Sequence, residues 1–276
     1  MFFTKTDRKF DKKSKKRTKF PRDDKRNSKF AKSDYNSLFF CTMRGAMFRF
    51  IITLPVLAFY VLLAFIMFPL HLLTKRKLGG IVFRNCSAVM LKIGGVRCKT
   101  EGLENIVPGE TYFVAANHQS IADIPIIGAN LPINIRVLAK KELFMIPFLG
   151  QAMQLYDFVA IDRKNRRRAV KSLEIAEKKM KYCSYLVFPE GTRSRDGHVG
   201  KFKSGALILT EKGCKILPVA LLGPEKILKT GEINVHPGEV RIKIFPPTRI
   251  GENESRQELA ERLHELISTY VESANS

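Results

Sequence analysis

The chain has no C-x-x-C pair, and its five cysteines (Cys41, Cys86, Cys98, Cys183 and Cys214) are scattered and odd in number. That pattern argues against a disulfide framework or a zinc site and fits a reducing compartment. A secretory leader is not expected either, because the first apolar run starts near residue 50. There is no G-x-S-x-G elbow, so a nucleophilic serine finds no support. No internal repeat is visible. Acidic residues are scarce: 26 Asp and Glu stand against 48 Lys and Arg, a formal charge of +22. Such an excess points to negatively charged partners, whether nucleic acid, an anionic membrane face or phosphorylated small molecules.

What is present fits 276 residues of one catalytic domain with an accessory segment, and 45% hydrophobic content allows a real core. Residues 1–37 hold 14 basic and 5 acidic residues, a net of +9, and almost no aliphatic side chains. This tail cannot offset its own ordering entropy and is expected to be disordered. Nuclear targeting or nucleic-acid binding would suit such a run, but the following segment favours a solvated tail beside acidic lipid headgroups. From Phe50 to Leu73 the chain carries no Lys, Arg, Asp or Glu. As a helix this stretch would reach roughly 36 Å, enough to cross a bilayer. Pro55 and Pro69 are expected to bend or break it. A weaker apolar stretch, Ile81–Ile93, follows the basic Lys75, Arg76 and Lys77, and reads as a return arm or an interfacial helix.

Beyond residue 100, strand-like runs alternate with helical patterns, which predicts an α/β domain. The expected strands are Tyr112–Ala115, Ile135–Leu138, Phe158–Ile161, Tyr185–Phe188, Ile216–Leu221 and Val240–Phe245. Helices are expected at Arg167–Lys181 and Arg256–Val271, the second capped by Ser255 with Glu258 three residues on.

The chemistry sits at strand ends. NHQSIAD, residues 117–123, follows the apolar YFVAA. Of five histidines, only His118 combines a strand exit with a nearby acid, Asp123. A spacing of five places two side chains about 140° apart on an ideal helix. The pair therefore works better with His118 just before a helix and Asp123 in its first turns. A carboxylate on one ring nitrogen fixes the tautomer and leaves the other nitrogen free as a base. FPEGTRS, residues 188–194, also leaves a strand. There Pro189 and Gly191 shape a turn, and Arg193 can grip a phosphate bidentately. Lys201 and Lys203 follow, while Lys140, Lys141 and Arg163 close two further strands. Each cation alone could simply face water, but together they suggest an anion pocket.

These residues resemble the glycerolipid acyltransferase family. NHQSIAD fits its N-H-x-x-x-x-D signature, AIDR (160–163) its second block, FPEGTRS its third and LPVAL (217–221) its fourth. KKELFMIPFLGQ lies between the first two, and the order and spacing fit as well. The resemblance covers residues 85–250, is greatest to the bacterial-type 1-acyl-sn-glycerol-3-phosphate acyltransferases, and leaves the basic tail unexplained.

The resemblance implies a helix-covered, glycerolipid acyltransferase-like α/β sheet with an N-terminal membrane-embedded helical segment. The expected division is a tail (1–37), an anchoring segment (38–98) and a catalytic domain (99–276). It implies transfer of an acyl group from acyl-CoA or acyl-carrier protein to the sn-2 hydroxyl of lysophosphatidic acid, giving phosphatidic acid. His118 would be the base and Asp123 its orienting partner. Lys140, Arg163 and Arg193 would hold the phosphate, and Glu190 would position the glycerol. Asn117, Gly191, Thr192, Ser194 and Lys203 complete the expected substrate-binding set. No metal or other cofactor is expected, and no nucleic-acid partner. Anionic lipids are expected at the tail. Glycerol-3-phosphate or a lyso-ornithine lipid is the alternative acceptor, and a catalytically silent basic membrane scaffold is the alternative from another class. The donor is cytoplasmic, so the domain is placed on the cytoplasmic face. Keeping the basic tail on the same side then requires residues 50–93 to form a hairpin in one leaflet.

Overall fold

The most apolar runs of the sequence become the innermost strands. The computed structural model describes residues 51–274 except 75, 163, 195, 196 and 233. The basic tail, Phe50 and Arg163 thus lie outside the described residues. Seven strands make one sheet: β1 (Val96–Glu101), β2 (Phe113–Ala116), β3 (Ile135–Lys140), β4 (Val159–Ile161), β5 (Ser184–Val187), β6 (Ile216–Leu222) and β7 (Gly238–Ile244). Their order is β1-β7-β6-β2-β5-β3-β4, and every pairing is parallel except β6 with β7. Every residue of β2, β5 and β6 is buried, as expected of parallel strands covered on both faces.

Side chains alternate between two cores. Val114 and Ala116 of β2, with Leu217, Val219 and Leu221 of β6, face one helical layer. That layer holds α2 (Leu78–Gly94) and α3 (Asp123–Asn130). Phe113 and Ala115, with Ile216, Ala220 and Leu222, face the other. It holds α5 (Arg166–Lys179), a 3-10 segment at Ser204–Lys212 and α7 (Arg256–Ser273). Two short helices, α4 (Leu149–Leu155) and α6 (Pro224–Ile227), complete the chain. The Ser255 and Glu258 capping box at α7 is formed in both directions.

Helix α1, Ile51–Leu73, runs unbroken through Pro55 and Pro69, so neither proline is the break expected of it. Its mean hydropathy is 2.6, and by length and composition it can cross a membrane. The turn comes later, at residues 74–77, where Arg76 takes a positive φ of 64°. Helix α2 follows, and Thr53 and Leu57 of α1 line one cavity with Met90 of α2, while Val61 and Ala64 line another with Gly79. Its buried residues are Gly79, Gly80, Ser87, Leu91 and Gly94, all small but Leu91. A Cβ on Gly79 would stand 2.4 Å from Tyr156, and one on Gly128 of α3 would stand 2.6 Å from Phe83 of α2. The return arm is thus a layer of the α/β body as well as the partner of α1. The expected boundary between residues 98 and 99 falls inside β1.

A buried charge cluster pins this elbow. Asp157 is paired with Arg76, with Lys179 at 3.1 Å and with His71 at 3.7 Å. Arg136, fully buried on β3, donates to the carbonyls of Arg76 and Tyr156. Burial pushes the Asp157 carboxyl up, but His71, Lys179 and Arg76 outweigh it and hold it at about 2.

Candidate active site

The sheet order opens a crevice at the end of β2. The connection from β2 to β3 crosses on the α3 face, while that from β5 to β6 crosses on the other. Loops leaving two neighbouring parallel strands therefore diverge, the usual setting for a site in such sheets. Asn117 and His118 leave β2 there, and residues 188–194 leave β5 beside them.

His118 Nδ1 lies 2.7 Å from Asp123 Oδ2, and Asp123 is the first residue of α3. The backbone N–H groups of Gln119 and Ser120 donate to the same oxygen at 2.8 and 2.9 Å. The five-residue spacing works because the intervening turn, not a helix, wraps around the carboxylate. Burial pushes the Asp123 carboxyl above its ordinary value, while His118 and the two N–H groups pull it back. The helix N-terminus favours its charged form too. With Nδ1 donating to Asp123, Nε2 keeps its lone pair, and among the described residues it has no hydrogen-bond partner. The imidazole also stacks on Phe188, with centroids 3.9 Å apart and planes 12° apart. The FPEGTRS motif carries Phe188, but the sequence alone gave that ring no role.

The third motif clamps the first. Glu190 Oε1 accepts the His118 N–H at 2.6 Å, and Oε2 accepts that of Gly200 at 3.0 Å. Ser194 N–H donates to the His118 carbonyl at 2.8 Å. Glu190 is buried and holds backbone. Asn117 holds backbone too. It is fully buried, and its amide both donates to and accepts from the Leu221 backbone, at 3.0 and 2.8 Å. In effect it extends the β2–β6 ladder by one side chain.

The cations are less tightly gathered. Gly191 adopts φ +76° in the turn, and a Cβ there would meet Lys203 Nζ at 3.0 Å. Thr192 is exposed, and Arg193 and Ser194 are half-buried. Lys140 is exposed at the end of β3 and pairs with Glu142 at 3.7 Å. Two strand spacings separate β3 from β2, roughly 10 Å. Lys141 is bound to Asp162 at 2.8 Å.

Two cavities adjoin the site. One of about 380 Å³ is almost wholly apolar and runs from Ile121 and Ala122 between α2, α4 and α1. The other, about 580 Å³, lies on the opposite face, where Lys164, Lys203 and Arg256 rim an apolar floor.

Known proteins share this arrangement. The Acyltransferase family model matches residues 97–222. A chloroplastic 1-acyl-sn-glycerol-3-phosphate acyltransferase of Arabidopsis thaliana is 31% identical over 84% of this chain and 65% of its own length. A protein of the same name from Pseudomonas aeruginosa is 33% identical over 61% of this chain and 65% of its own. The chain spans about half to two thirds of the length of the curated relatives it matches. The crystal structure of the 1-acyl-sn-glycerophosphate (LPA) acyltransferase PlsC from Thermotoga maritima is also similar. Its TM-score is 0.64 at 27% identity, over 83% of this chain and 98% of that one. The paired His118 and Asp123 and the bonds from Glu190 fall in the matched region, so this part of the chain is similar to the Acyltransferase family.

Proposed function

We propose that the protein esterifies the sn-2 hydroxyl of 1-acyl-glycerol-3-phosphate from a thioester donor, acyl-CoA or acyl-carrier protein. One observation carries the reading: the buried carboxylate on Nδ1 of His118, which leaves Nε2 as a base at a strand-end crevice. Nε2 takes the proton of the acceptor hydroxyl. The oxygen attacks the thioester carbonyl, the C–S bond breaks, and the leaving thiolate takes the proton back from the imidazolium. No step calls on a metal or a prosthetic group. The similarity to the Acyltransferase family and the names of the relatives support this acceptor. So does the apolar cavity beginning beside Asp123, which suits an acyl chain. Lys140, Arg163 and Arg193 are assigned to the phosphate.

On this reading α1 and α2 anchor the enzyme in the cytoplasmic leaflet, with the domain on the cytoplasmic face. The deciding experiment assays the purified full chain with lysophosphatidic acid and with glycerol-3-phosphate, each against both donors. Turnover of lysophosphatidic acid that disappears in His118→Ala is expected. Preference for glycerol-3-phosphate overturns the acceptor, and persistence of activity in His118→Ala overturns the mechanism.

A further inference from the structure

The link between β3 and β4 exposes large apolar side chains that no other described residues cover. Met145 is 78% exposed, Phe148 72% and Ile146 44%. Exposed apolar residues are common singly, but a cluster on one tight turn is not. The turn is also held in place. Phe148 has φ +63°, a left-handed conformation that bulky side chains seldom adopt. Gly150 crosses so close to Phe144 that a Cβ would stand 2.1 Å from its carbonyl oxygen. Backbone bonds from Gly150 to Ile146 and from Ala152 to Phe148, both 2.9 Å, close the loop. A strained backbone that presents a phenyl ring to solvent needs a reason outside the folded chain.

The inner side of the same turn supplies it. Leu143 and Leu149 line the apolar cavity that begins at Ile121 and Ala122. Across that cavity stand Thr53 and Leu57 of α1. The outward face of α1 is apolar along its length, with Phe59, Leu62 and Ile66 each 60% exposed. The cavity is thus lined both by a helix suited to lipid and by Leu143 and Leu149, the two ends of the turn that carries Met145, Ile146 and Phe148. Lys140 lies exposed at the base of the turn, where it can meet anionic headgroups.

We propose that residues 143–149 form a second membrane-insertion element, so that the cavity opens directly into the bilayer between this turn and α1. The inference rests on α1 lying in lipid and not on the identity of the acceptor. Continuity with the apolar face of α1 favours lipid over a second copy of the chain.

The chain contains no tryptophan, so Phe148→Trp places a single fluorophore at the tip of the full-length protein. The control is Ile175→Trp, half-exposed on α5 and across the sheet. In vesicles of phosphatidylcholine and phosphatidylglycerol brominated along the acyl chain, Trp emission at 148 is expected to shift blue and to be quenched. Emission at 175 is expected to stay unquenched. A water-like, unquenched signal at 148 overturns the proposal, as does equal quenching at both positions. A blue shift without quenching that grows with protein concentration shows contact between copies and overturns it too. Met145→Glu with Phe148→Glu gives an independent reading. Activity on vesicle-borne acceptor is expected to fall severalfold, while activity on short-chain acceptor dispersed as monomers is unchanged. Equal activity of this variant on vesicles also overturns the proposal. A wrong acceptor would abolish both assays but leave the fluorescence result standing.

Discussion

At the scale of single residues, the site is a histidine held from four directions. Asp123 fixes its ring nitrogen, Phe188 its ring plane, Glu190 its N–H and Ser194 its carbonyl. Removing the base by His118→Ala is expected to lower turnover by about 10² to 10⁴ with the fold intact, read from initial rates and thermal melting together. Asp123→Asn keeps the shape and loses the charge, and a comparable loss in rate is expected. Gly200→Ala tests the clamp at a distance, because its Cβ would stand 2.7 Å from Glu190 Oε2. It is expected to reduce kcat while touching neither ring nor substrate, and unchanged kcat would remove Glu190 from the account. For the phosphate, Arg193→Ala is expected to raise KM by the worth of a charge-assisted bond, about 1.5–3 kcal/mol. Monoacylglycerol, which lacks the phosphate, should be used poorly by wild type and be indifferent to the change. The pairing of His118 with Asp123 was legible because the two lie beside a strand exit at a spacing that a turn can close. The backbone bonds of Asn117 and Glu190 were not, because the one-letter code of a polar side chain does not say which backbone it will meet.

At the scale of elements, six strands were legible to within about two residues, five as largely apolar runs and β7 by the aliphatic residues Val240, Ile242 and Ile244 on its buried face. β1 was missed because VRCKTE alternates, with one face half-buried and the other exposed at the sheet edge. α3 was expected from the placing of His118 and Asp123 and not from periodicity, because DIPIIGAN carries Pro and Gly in eight residues. α2 was visible as an apolar stretch, but its place in the body depends on Gly79, Gly80 and Gly94, which fix distance rather than hydrophobicity. The elbow joining α1 to α2 depends on the charges around Asp157. With its carboxyl held at about 2, below the ordinary 3.8, the ion pairs contribute stability that is present above about pH 4 and lost as pH falls through 2. Asp157→Asn is expected to lack that acid-dependent loss and to start from a looser elbow at neutral pH. Hydrogen exchange of residues 74–79 across pH 2–6 would show both, and identical profiles for the two proteins would remove Asp157 from that role.

At the scale of the whole molecule, the apolar helix and the basic surface act together. An enzyme anchored by α1 stays with membranes through a high-salt wash, whereas a scaffold held by charge alone is released. Retention is expected for the full chain. Ser14→Cys and Ser276→Cys, both outside the described residues, report topology in a cysteine-free background. An impermeant thiol reagent on intact cells is expected to label neither, and labelling at position 14 alone would establish a full crossing by α1 in place of a hairpin. The order of parts along the chain also orders events in time. Synthesis runs from the N-terminus, so α1 emerges more than a hundred residues before Glu190 and Ser194, whose bonds complete the histidine. A nascent chain can therefore meet lipid while the His118 ring still lacks three of its four supports.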